Sequence, residues 1–393
     1  MTARWQAVED ALRAGAPALA ARADRYPRWF ADAVVDRSRR YTSERERLDR
    51  PADREADLAA RALFFSPVDA AKLQVPIAEL LRARGGALGA TAPRVRVLDL
   101  GAGCGAMTLG LLAATAARGA RPAWQVTAVD RDAAALAIAR GAIEHLAQEL
   151  GLDVEVHTVT AELTRWPLPP ADLVLAGGVL NELPEPQSRA LVHAALAAVD
   201  AAGAIVLIDP ALRESARRLH QLRDELLVAG AAHVLAPCVR QTTPCPMLAR
   251  PTDWCHEDRR FRPPEDVRAV ADVTHLRDGN LKFAYLVLSR APAPLAVPAP
   301  GSLLLRVVSG ALPGKGRREL MACGEPGRVP LRRLDRRASP QNAWFDELYR
   351  GDLVEVPEAR ALAAAAPGGR VEVAQDDTFP VLRFGGSTDE PRD

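Results

Sequence analysis

Long apolar runs and an excess of charge of one sign are both missing from this sequence. Because no stretch of about twenty apolar residues occurs, we expect no transmembrane helix and no membrane partner. The first ten residues, M-T-A-R-W-Q-A-V-E-D, lack the apolar run of a secretory signal, which predicts a cytoplasmic protein. The net charge is only +1, so a surface for nucleic acid must come from local clusters of basic residues.

Cysteine is also scarce, with five in 393 residues. In a cytoplasmic chain such cysteines are better interpreted as reduced thiols or metal ligands than as disulfides. The chain is long enough for two or three domains and a sizeable core, and we expect a monomer.

The most regular stretch of the chain lies between residues 94 and 110. An aliphatic run over residues 95–98 leads into Asp99, and three glycines follow at alternate positions, Gly101, Gly103 and Gly105. An alanine-rich helical pattern then runs from Met107 towards Ala117. This order predicts a buried strand, a tight turn and a helix N-terminus, where glycine tolerates positive φ and lets a nucleotide-like ligand approach the backbone.

The pattern after this turn alternates between strands and helices, as in a doubly wound α/β fold. We expect further core strands over residues 124–129, 154–159, 172–176 and 203–208. Asp130 ends the second strand, where an acidic side chain can hydrogen-bond ribose hydroxyls, and Asp132 should cap the next helix. Glu162 follows the third strand and Asn181 the fourth, which makes both candidates for contact with a ligand.

The domain boundaries follow from changes in composition. We expect a helical N-terminal subdomain, an α/β core, a cysteine-rich segment with the last core strand, a stiff proline-rich connector, a small β-domain and a tail of uncertain structure; these occupy residues 1–92, 93–235, 236–290, 291–300, 301–352 and 353–393. In the first of these, the charge-rich residues 37–53 are interpreted as a solvated helix face.

Three cysteines, Cys238, Cys245 and Cys255, lie close together in a proline-interrupted stretch with six and nine residues between them. Clustered thiols in a loop with little apolar content favour a bound metal that orders the backbone, although free cysteines in a packed loop remain the alternative. A fourth thiol is available at Cys323, and the Cys₄ set would suit a [4Fe–4S] cluster or zinc. His256 could replace one ligand of a zinc site, and Cys104 is assigned to packing around the glycine turn.

The motif D-L-G-A-G-C-G resembles the first motif of class I S-adenosylmethionine-dependent methyltransferases. A loose dinucleotide fingerprint would also match these letters, but Asp99 favours the methyltransferase interpretation. The resemblance implies that Asp99 and the glycine backbone hold the methionine end of S-adenosylmethionine, and that Glu162 lies along the adenine. The D/N-P-P-Y/F/W motif of methyltransferases that act on amino groups is missing around Asn181, so we assign no catalytic residue.

A more specific resemblance rests on the blocks A-P-C…P-C-P-M…D-W-C-H and K-F-A-Y-L-V-L-S-R after this core. Over about residues 60 to 350 the chain resembles the methyltransferase-like assembly factors of the mitochondrial small ribosomal subunit and their bacterial homologues. That resemblance implies a [4Fe–4S] cluster, with Cys238, Cys245, Cys255 and Cys323 as ligands, and small-subunit rRNA as partner. The basic ending of that family is only partly matched, by residues 342–352.

The expected β-domain is locally basic, which favours an RNA partner, since such a patch can neutralise backbone phosphates. We expect its strands over residues 302–308, 317–323 and 327–334, and an oligonucleotide-binding barrel is one possible form. The alternative is an ordinary arginine-rich surface. The basic residues are Arg306, Lys315, Arg317, Arg318, Arg328, Arg332, Arg333, Arg336 and Arg337.

Three functions therefore stay open. The first, which we favour, is a small-subunit assembly factor that binds rRNA and a precursor particle and retains donor binding, with methyl transfer itself left open. The second is an active S-adenosylmethionine-dependent methyltransferase acting on RNA or a ribosomal protein, since methyl transfer needs little beyond alignment of the reacting atoms. The third is a zinc-stabilised α/β protein unrelated to RNA.

Overall fold

The computed structural model describes residues 2–44, 47–48, 50–86, 88, 94–276 and 279–384. The N-terminal subdomain is helical, as expected, and a π-helical turn over Arg61–Phe65 joins its fourth and fifth helices. Its helices are α1 (Thr2–Gly15), α2 (Pro17–Arg25), α3 (Pro27–Thr42), α4 (Arg54–Ala60), α5 (Ser66–Lys72) and α6 (Gln74–Ala83).

The interpretation of residues 37–53 as a solvated face is wrong at its N-terminal end. Arg37 and Arg40 are buried and both pair with Asp57 of α4, Arg37 at 3.2 Å. Because α3 packs against α4, this face of α3 is covered, and the shared carboxylate compensates the buried charges. Arg45, Glu46 and Asp49 of this stretch lie outside the described residues.

The α/β core contains five parallel strands in the order β3-β2-β1-β4-β5, the order of doubly wound nucleotide-binding folds. Every expected core strand is present, to within a few residues at each end, and the central β4 is buried along nearly its whole length, as covered parallel strands are. The elements are β1 (Arg94–Leu100), α7 (Ala106–Ala116), β2 (Ala123–Asp130), α8 (Ala133–Leu150), β3 (Val154–Thr160), β4 (Ala171–Gly177), α9 (Glu185–Ala198), β5 (Val199–Pro210) and α10 (Arg213–Val228).

The cysteine-rich segment leaves from the edge of this sheet and returns to it. Strand β8 (Asn280–Ser289) pairs antiparallel with β5, and its other edge is shared by β6 (His233–Ala236) and β7 (Glu257–Arg260). Helix α11 (Glu265–Thr274) lies between β7 and β8 in the chain. Residues 237–256 therefore project from between two short edge strands, neither of which was expected from the sequence.

The C-terminal β-domain is a separate sheet in the order β14-β12-β11-β9-β13-β15, with β10 paired to β11. Its three expected strands agree with β9, β11 and β12 to within one residue, but the sheet continues past Asp352 into the expected tail. Residues 385–393 lie outside the described part. The elements are β9 (Ser302–Val307), β10 (Leu312–Gly314), β11 (Arg317–Gly324), β12 (Gly327–Leu334), β13 (Leu353–Pro357), α12 (Glu358–Ala364), β14 (Val371–Glu372) and β15 (Val381–Leu382).

The proline-rich connector, residues 291–300, is packed against the core. Leu295 is buried, and its carbonyl accepts a hydrogen bond of 3.3 Å from Nε of Arg82 on α6. None of the helices in the described ranges combines the length and apolar character needed to cross a membrane.

Candidate functional site

The glycine turn joins β1 to α7, and all three of its glycines have positive φ: 67° at Gly101, 51° at Gly103 and 87° at Gly105. A Cβ at Gly101 would lie 2.5 Å from Cγ2 of Val179, and one at Gly105 would lie 3.1 Å from Cβ of Ala139. At Gly103 the nearest atom is Nη2 of Arg61, at 3.5 Å. Two glycines are therefore required by packing, whereas the third leaves an open face on the turn.

Asp99 lies beneath the turn and is completely buried. Its Oδ2 accepts hydrogen bonds from the Oγ1 and backbone N of Thr108, at 2.7 and 3.1 Å. Its Oδ1 has no hydrogen-bond partner among the described residues. Burial raises the pKa of this carboxyl to about 6, against the hydrogen bonds from Thr108. One carboxylate oxygen thus anchors α7, and the other remains available to a donor.

Asp130 lies at the end of β2, beside the same turn. Its Oδ2 accepts a hydrogen bond from N of Gly103 and its Oδ1 one from N of Asp132, both at 2.9 Å. Asp132 caps α8, as expected, through bonds of 3.1 Å from the backbone N of Ala134 and Ala135. The Asp130 carboxylate, which we expected to bind a ribose, is therefore held in place by backbone N–H groups. Each of its oxygens can still accept a further hydrogen bond.

The other two candidates for ligand contact lie in different surroundings. Glu162 is exposed in the turn after β3. Asn181 is buried after β4, and in the amide orientation that satisfies both of its polar atoms it donates to Oδ1 of Asp209, at 3.1 Å, and to the carbonyl of Gly178, at 2.7 Å. Asn181 and Asp209 line a cavity of about 340 Å³ together with residues of α9 and α10. The roles expected for Glu162 and Asn181 stay predictions.

A second cavity, of about 670 Å³ and partly open to solvent, is lined by all four expected metal ligands. Cys238, Cys245 and Cys255 come from the segment between β6 and β7, and Cys323 comes from β11 of the β-domain. Burial and the neighbouring thiols raise the pKa of Cys245 and of Cys323 to about 12, and raise that of Cys255 well above its usual range. The structure thus brings together thiols from two distant parts of the chain, the segment between β6 and β7 and strand β11 of the second sheet.

Cys104 lies elsewhere, buried at the glycine turn, where burial raises its pKa to about 11. His256 lines the cysteine cavity and stacks on Trp254, with ring centroids 5.8 Å apart. Within the described residues, no three histidine, cysteine, aspartate or glutamate side chains are arranged to hold a single metal ion. This finding supports neither a zinc ion nor a [4Fe–4S] cluster, and both stay predictions.

Helix α10 holds the cysteine segment, a role that the sequence analysis missed. Nη1 of Arg217 donates to the carbonyls of Met247, Arg250 and Asp253, at 3.0, 2.7 and 2.8 Å. About two turns further along α10, Oδ2 of Asp224 accepts a hydrogen bond of 2.7 Å from N of Cys245. Polar residues three to four positions apart along α10 indicate that one side of the helix is polar. Nothing in the sequence shows that this side binds the cysteine segment.

The β-domain is attached to the same segment by residues that we expected to contact phosphates. Arg306 is buried, with Nη2 at 2.7 Å from Oε1 of Glu79 and 3.1 Å from Oε1 of Glu257, and Nη1 donates to the carbonyl of Pro237 at 3.2 Å. The hydroxyl of Tyr285 on β8 donates to the same Glu79, at 2.6 Å. A phosphate-binding role for Arg306 is therefore wrong, because its charge is needed inside the protein.

Other residues of the expected basic patch are also occupied within the protein. Arg328 pairs with Asp253 at 2.8 Å, and the buried Arg333 pairs with Asp346 at 2.7 Å. Arg332 pairs with Glu372. The patch is thus smaller than the sequence predicts, because much of its charge balances acidic side chains of the fold.

A comparison with known families matches residues 79–339, more than half of the chain, to the family described as mitochondrial small ribosomal subunit Rsm22. The chain belongs to this family. The match runs from α6 through the α/β core and the cysteine segment into the residues that follow β12, so it includes the glycine turn and all four cysteines of the cavity. No curated protein matches the chain.

Solved structures similar to this Rsm22-family chain include several methyltransferases. Magnesium protoporphyrin IX methyltransferase from Synechocystis PCC 6803 is 16% identical over 66% of this chain and 97% of its own, with a TM-score of 0.34. TrmN from Thermus thermophilus is 22% identical over 56% and 52%, with a TM-score of 0.30. An S-adenosylmethionine-dependent methyltransferase from Clostridium acetobutylicum ATCC 824 is 9% identical over 51% and 85%, also with a TM-score of 0.30.

Proposed function

We propose that the protein is an assembly factor of the small ribosomal subunit that binds rRNA, carries a [4Fe–4S] cluster and retains an S-adenosylmethionine site. The observation that carries this proposal is the convergence of Cys238, Cys245, Cys255 and Cys323 on one cavity in a member of the Rsm22 family. Free thiols also suit a reducing compartment, and we place the protein in the cytoplasm.

The chemistry of the cavity suits a cluster better than a single ion. In a [4Fe–4S] centre each of four thiolates binds a different iron, so the sulfurs can stay further apart than around one zinc. Arg223, Arg240 and Arg350 also line the cavity and would offset the negative charge of four thiolates. When bound, the cluster would join the segment held by α10 to β11, and so fix the β-domain on the core.

Iron and acid-labile sulfide content, with a visible spectrum, tests the cluster on anaerobically purified protein. We expect about four irons and four sulfides per chain and a broad band near ~400 nm. Replacing any of the four cavity cysteines by Ser should lower the iron content, and Cys104→Ser, the matched control, should not. Metal-free protein, or one zinc per chain, would overturn the cluster.

The S-adenosylmethionine site is proposed at the glycine turn. Three features fit a ligand with a methionine end and a ribose: the open face of Gly103, the Oδ1 of Asp99, which has no partner in the described part of the chain, and the backbone-fixed carboxylate of Asp130. Gly101 and Gly105 shape the turn, and Glu162 is proposed to lie beside the adenine. Direct titration of the protein with S-adenosylmethionine tests this site, and Asp130→Ala should weaken binding.

Contact with rRNA is proposed for the basic edge of the β-domain, which we define as Lys315, Arg317, Arg336 and Arg337. The two pairs lie side by side in the fold, because N of Asp335 donates to the carbonyl of Gly316 at 3.0 Å. Phosphates would be neutralised there without reading of bases. Replacing all four by Gln should weaken binding of a small-subunit rRNA fragment and reduce the salt slope by up to about four, roughly one per lost phosphate contact.

The matched control replaces four exposed arginines elsewhere by Gln: Arg25, Arg121, Arg140 and Arg268. This variant has the same change in net charge, so an equal loss of affinity would assign the effect to overall charge. Such a result would overturn the basic edge as the RNA contact.

An active methyltransferase on RNA or a ribosomal protein is the second candidate. It is favoured by the buried Asn181 and Asp209 at the carboxyl ends of β4 and β5, beside the 340 Å³ cavity. Methyl incorporation into small-subunit rRNA and proteins from a deletion strain decides between the two functions. Labelling at one site supports the enzyme, whereas donor binding without labelling supports the assembly factor.

A further inference from the structure

The π-helical turn of the N-terminal subdomain places a cation directly against the glycine turn. Nη1 of Arg61 pairs with Oδ2 of Asp132 at 2.6 Å, and its Nη2 lies 3.5 Å from the position that a Cβ on Gly103 would take. The Arg61 side chain is 20% exposed, so it is largely enclosed but not sealed from solvent. π-helical turns often occur at functional sites, where the extra residue redirects a side chain.

The partner of Arg61 is itself held in place. Asp132 uses Oδ1 to cap α8 and Oδ2 to bind Arg61, so the carboxylate orients the guanidinium and leaves Nη2 directed towards the open face of Gly103. A guanidinium has five donors in a fixed plane, and a single carboxylate oxygen does not use them all. The arrangement therefore offers donors to an anion that lies against the turn.

The electrostatics of the turn explain why such a cation would be needed. Three carboxyl groups, those of Asp99, Asp130 and Asp132, lie around it. These carboxyl groups suit the ammonium of a methionine moiety and the hydroxyls of a ribose. They would repel the carboxylate of the methionine moiety. An arginine is well suited to bind a carboxylate, with charge-assisted hydrogen bonds.

We propose that Arg61 is a positioning residue that binds the carboxylate of the methyl donor at the glycine turn. This inference rests on the proposed S-adenosylmethionine site and adds to it a contact from the N-terminal subdomain. In a purely structural role, Arg61 would only join α4 and α5 to α8 through Asp132. It would then stabilise the turn without making the site prefer ligands that carry a carboxylate.

Calorimetric titration of the full-length chain with two ligands separates these roles. S-adenosylmethionine carries the carboxylate, and decarboxylated S-adenosylmethionine retains the sulfonium and the ammonium but lacks it. Arg61→Gln should weaken binding of the first by about 10- to 100-fold, as expected for a lost charged hydrogen bond, and change binding of the second by less than about twofold. Arg61→Lys, which keeps the charge, should fall between wild type and Arg61→Gln for the first ligand.

Arg13→Gln is the control, because Arg13 also forms a 2.6 Å ion pair within the N-terminal helices, with Asp24. It should leave both affinities unchanged. Equal weakening of both ligands by Arg61→Gln, or no weakening of either, would overturn the inference while leaving the donor site intact. Wild-type protein that binds neither ligand would overturn the donor site itself, and this inference with it.

Discussion

The glycine turn and the cysteine cavity differ in how far along the chain their parts lie from one another. The turn is built by consecutive residues from Asp99 to Thr108, with Asp130 and Asp132 from the adjacent strand end. The cavity needs a loop, a helix that holds it and a strand of another domain. Apart from the contacts of Arg61 and Val179, the glycine turn is made by neighbouring residues, so a distant substitution should disturb it less than it disturbs a site that depends on the packing of distant segments.

The buried group around Arg306 shows what that dependence involves. Arg306 of β9 pairs with Glu79 of α6 and Glu257 of β7, so one guanidinium joins the N-terminal subdomain, the edge of the core sheet and the β-domain. Glu257 directly follows the cysteine segment. We therefore expect stability and cavity geometry to be coupled at the cysteine cavity and largely separate at the glycine turn.

The largest effect is expected for Arg306→Met. Removing one partner of a buried ionic group leaves Glu79 without its cation and Glu257 with Arg259 alone, which should lower the free energy of unfolding by about 3–5 kcal/mol. The iron content should fall in the same variant, while S-adenosylmethionine binding to the folded fraction should change by less than about twofold. Urea denaturation, iron analysis and calorimetry measure the three quantities.

Lys315→Gln is the matched control for Arg306→Met, since Lys315 is an exposed cation of the same domain. Its effect on unfolding should stay within about 0.5 kcal/mol. If Arg306→Met were equally mild, the buried group would not connect the domains and the contrast between the two sites would fail.

The next effect concerns Asp99 and depends on pH. Burial raises its pKa from 3.8 to about 6, so between these values the native protein keeps a proton that the unfolded chain releases. The free energy of unfolding therefore falls as the pH rises from about 4 to about 6, by at most about 3 kcal/mol, and Asp99→Asn lacks this dependence. Urea titrations of both proteins between pH 4 and 7 measure the difference.

The exposed Asp10→Asn variant controls for general effects of removing a carboxylate. The free energies of unfolding of the wild type and Asp99→Asn would differ by a constant amount over this pH range if the Asp99 carboxyl were not desolvated. In that case the glycine turn would be less rigidly built than its geometry indicates.

A smaller loss is expected for Arg217→Met on α10. This change removes charged hydrogen bonds to four carbonyls of the cysteine segment, worth about 2 kcal/mol in total after solvent competition. The Arg217→Met variant should lose its iron faster during incubation with a chelator, while its affinity for S-adenosylmethionine should be unchanged. The exposed Arg213→Met variant of the same helix is the control, and equal iron retention in both variants would contradict the role of Arg217.

The smallest effect is expected for Asp53→Ala, away from both sites. Asp53 caps α4 by accepting hydrogen bonds of 2.9 and 3.0 Å from N of Glu55 and Ala56. Loss of such a cap costs about 1 kcal/mol, so the melting temperature should fall slightly with iron and donor binding unchanged. A loss of iron here would mean that even distant local defects reach the cavity.

The sequence could predict what depends on neighbouring residues. Alternate glycines after Asp99, a polar cap at Asp132 and the order of strands and helices follow from local conformational preferences, and all three occur in the structure. The four cavity cysteines were identified from a family resemblance and from clustering, and their convergence required the fold. Which arginines are buried could not be predicted, because Arg37, Arg40 and Arg306 differ from exposed arginines only in the distant acidic residues that meet them.

The position of Cys323 also sets an order on biosynthesis. The N-terminal helices, the glycine turn and five core strands precede residue 237, so the glycine turn can form while the rest of the chain is still being made. Cys238, Cys245 and Cys255 are translated next, but their fourth companion arrives only with β11. The cysteine cavity is therefore closed late in synthesis, and a truncated product that ends before β11 would carry a complete glycine turn and an open, three-thiol half-site.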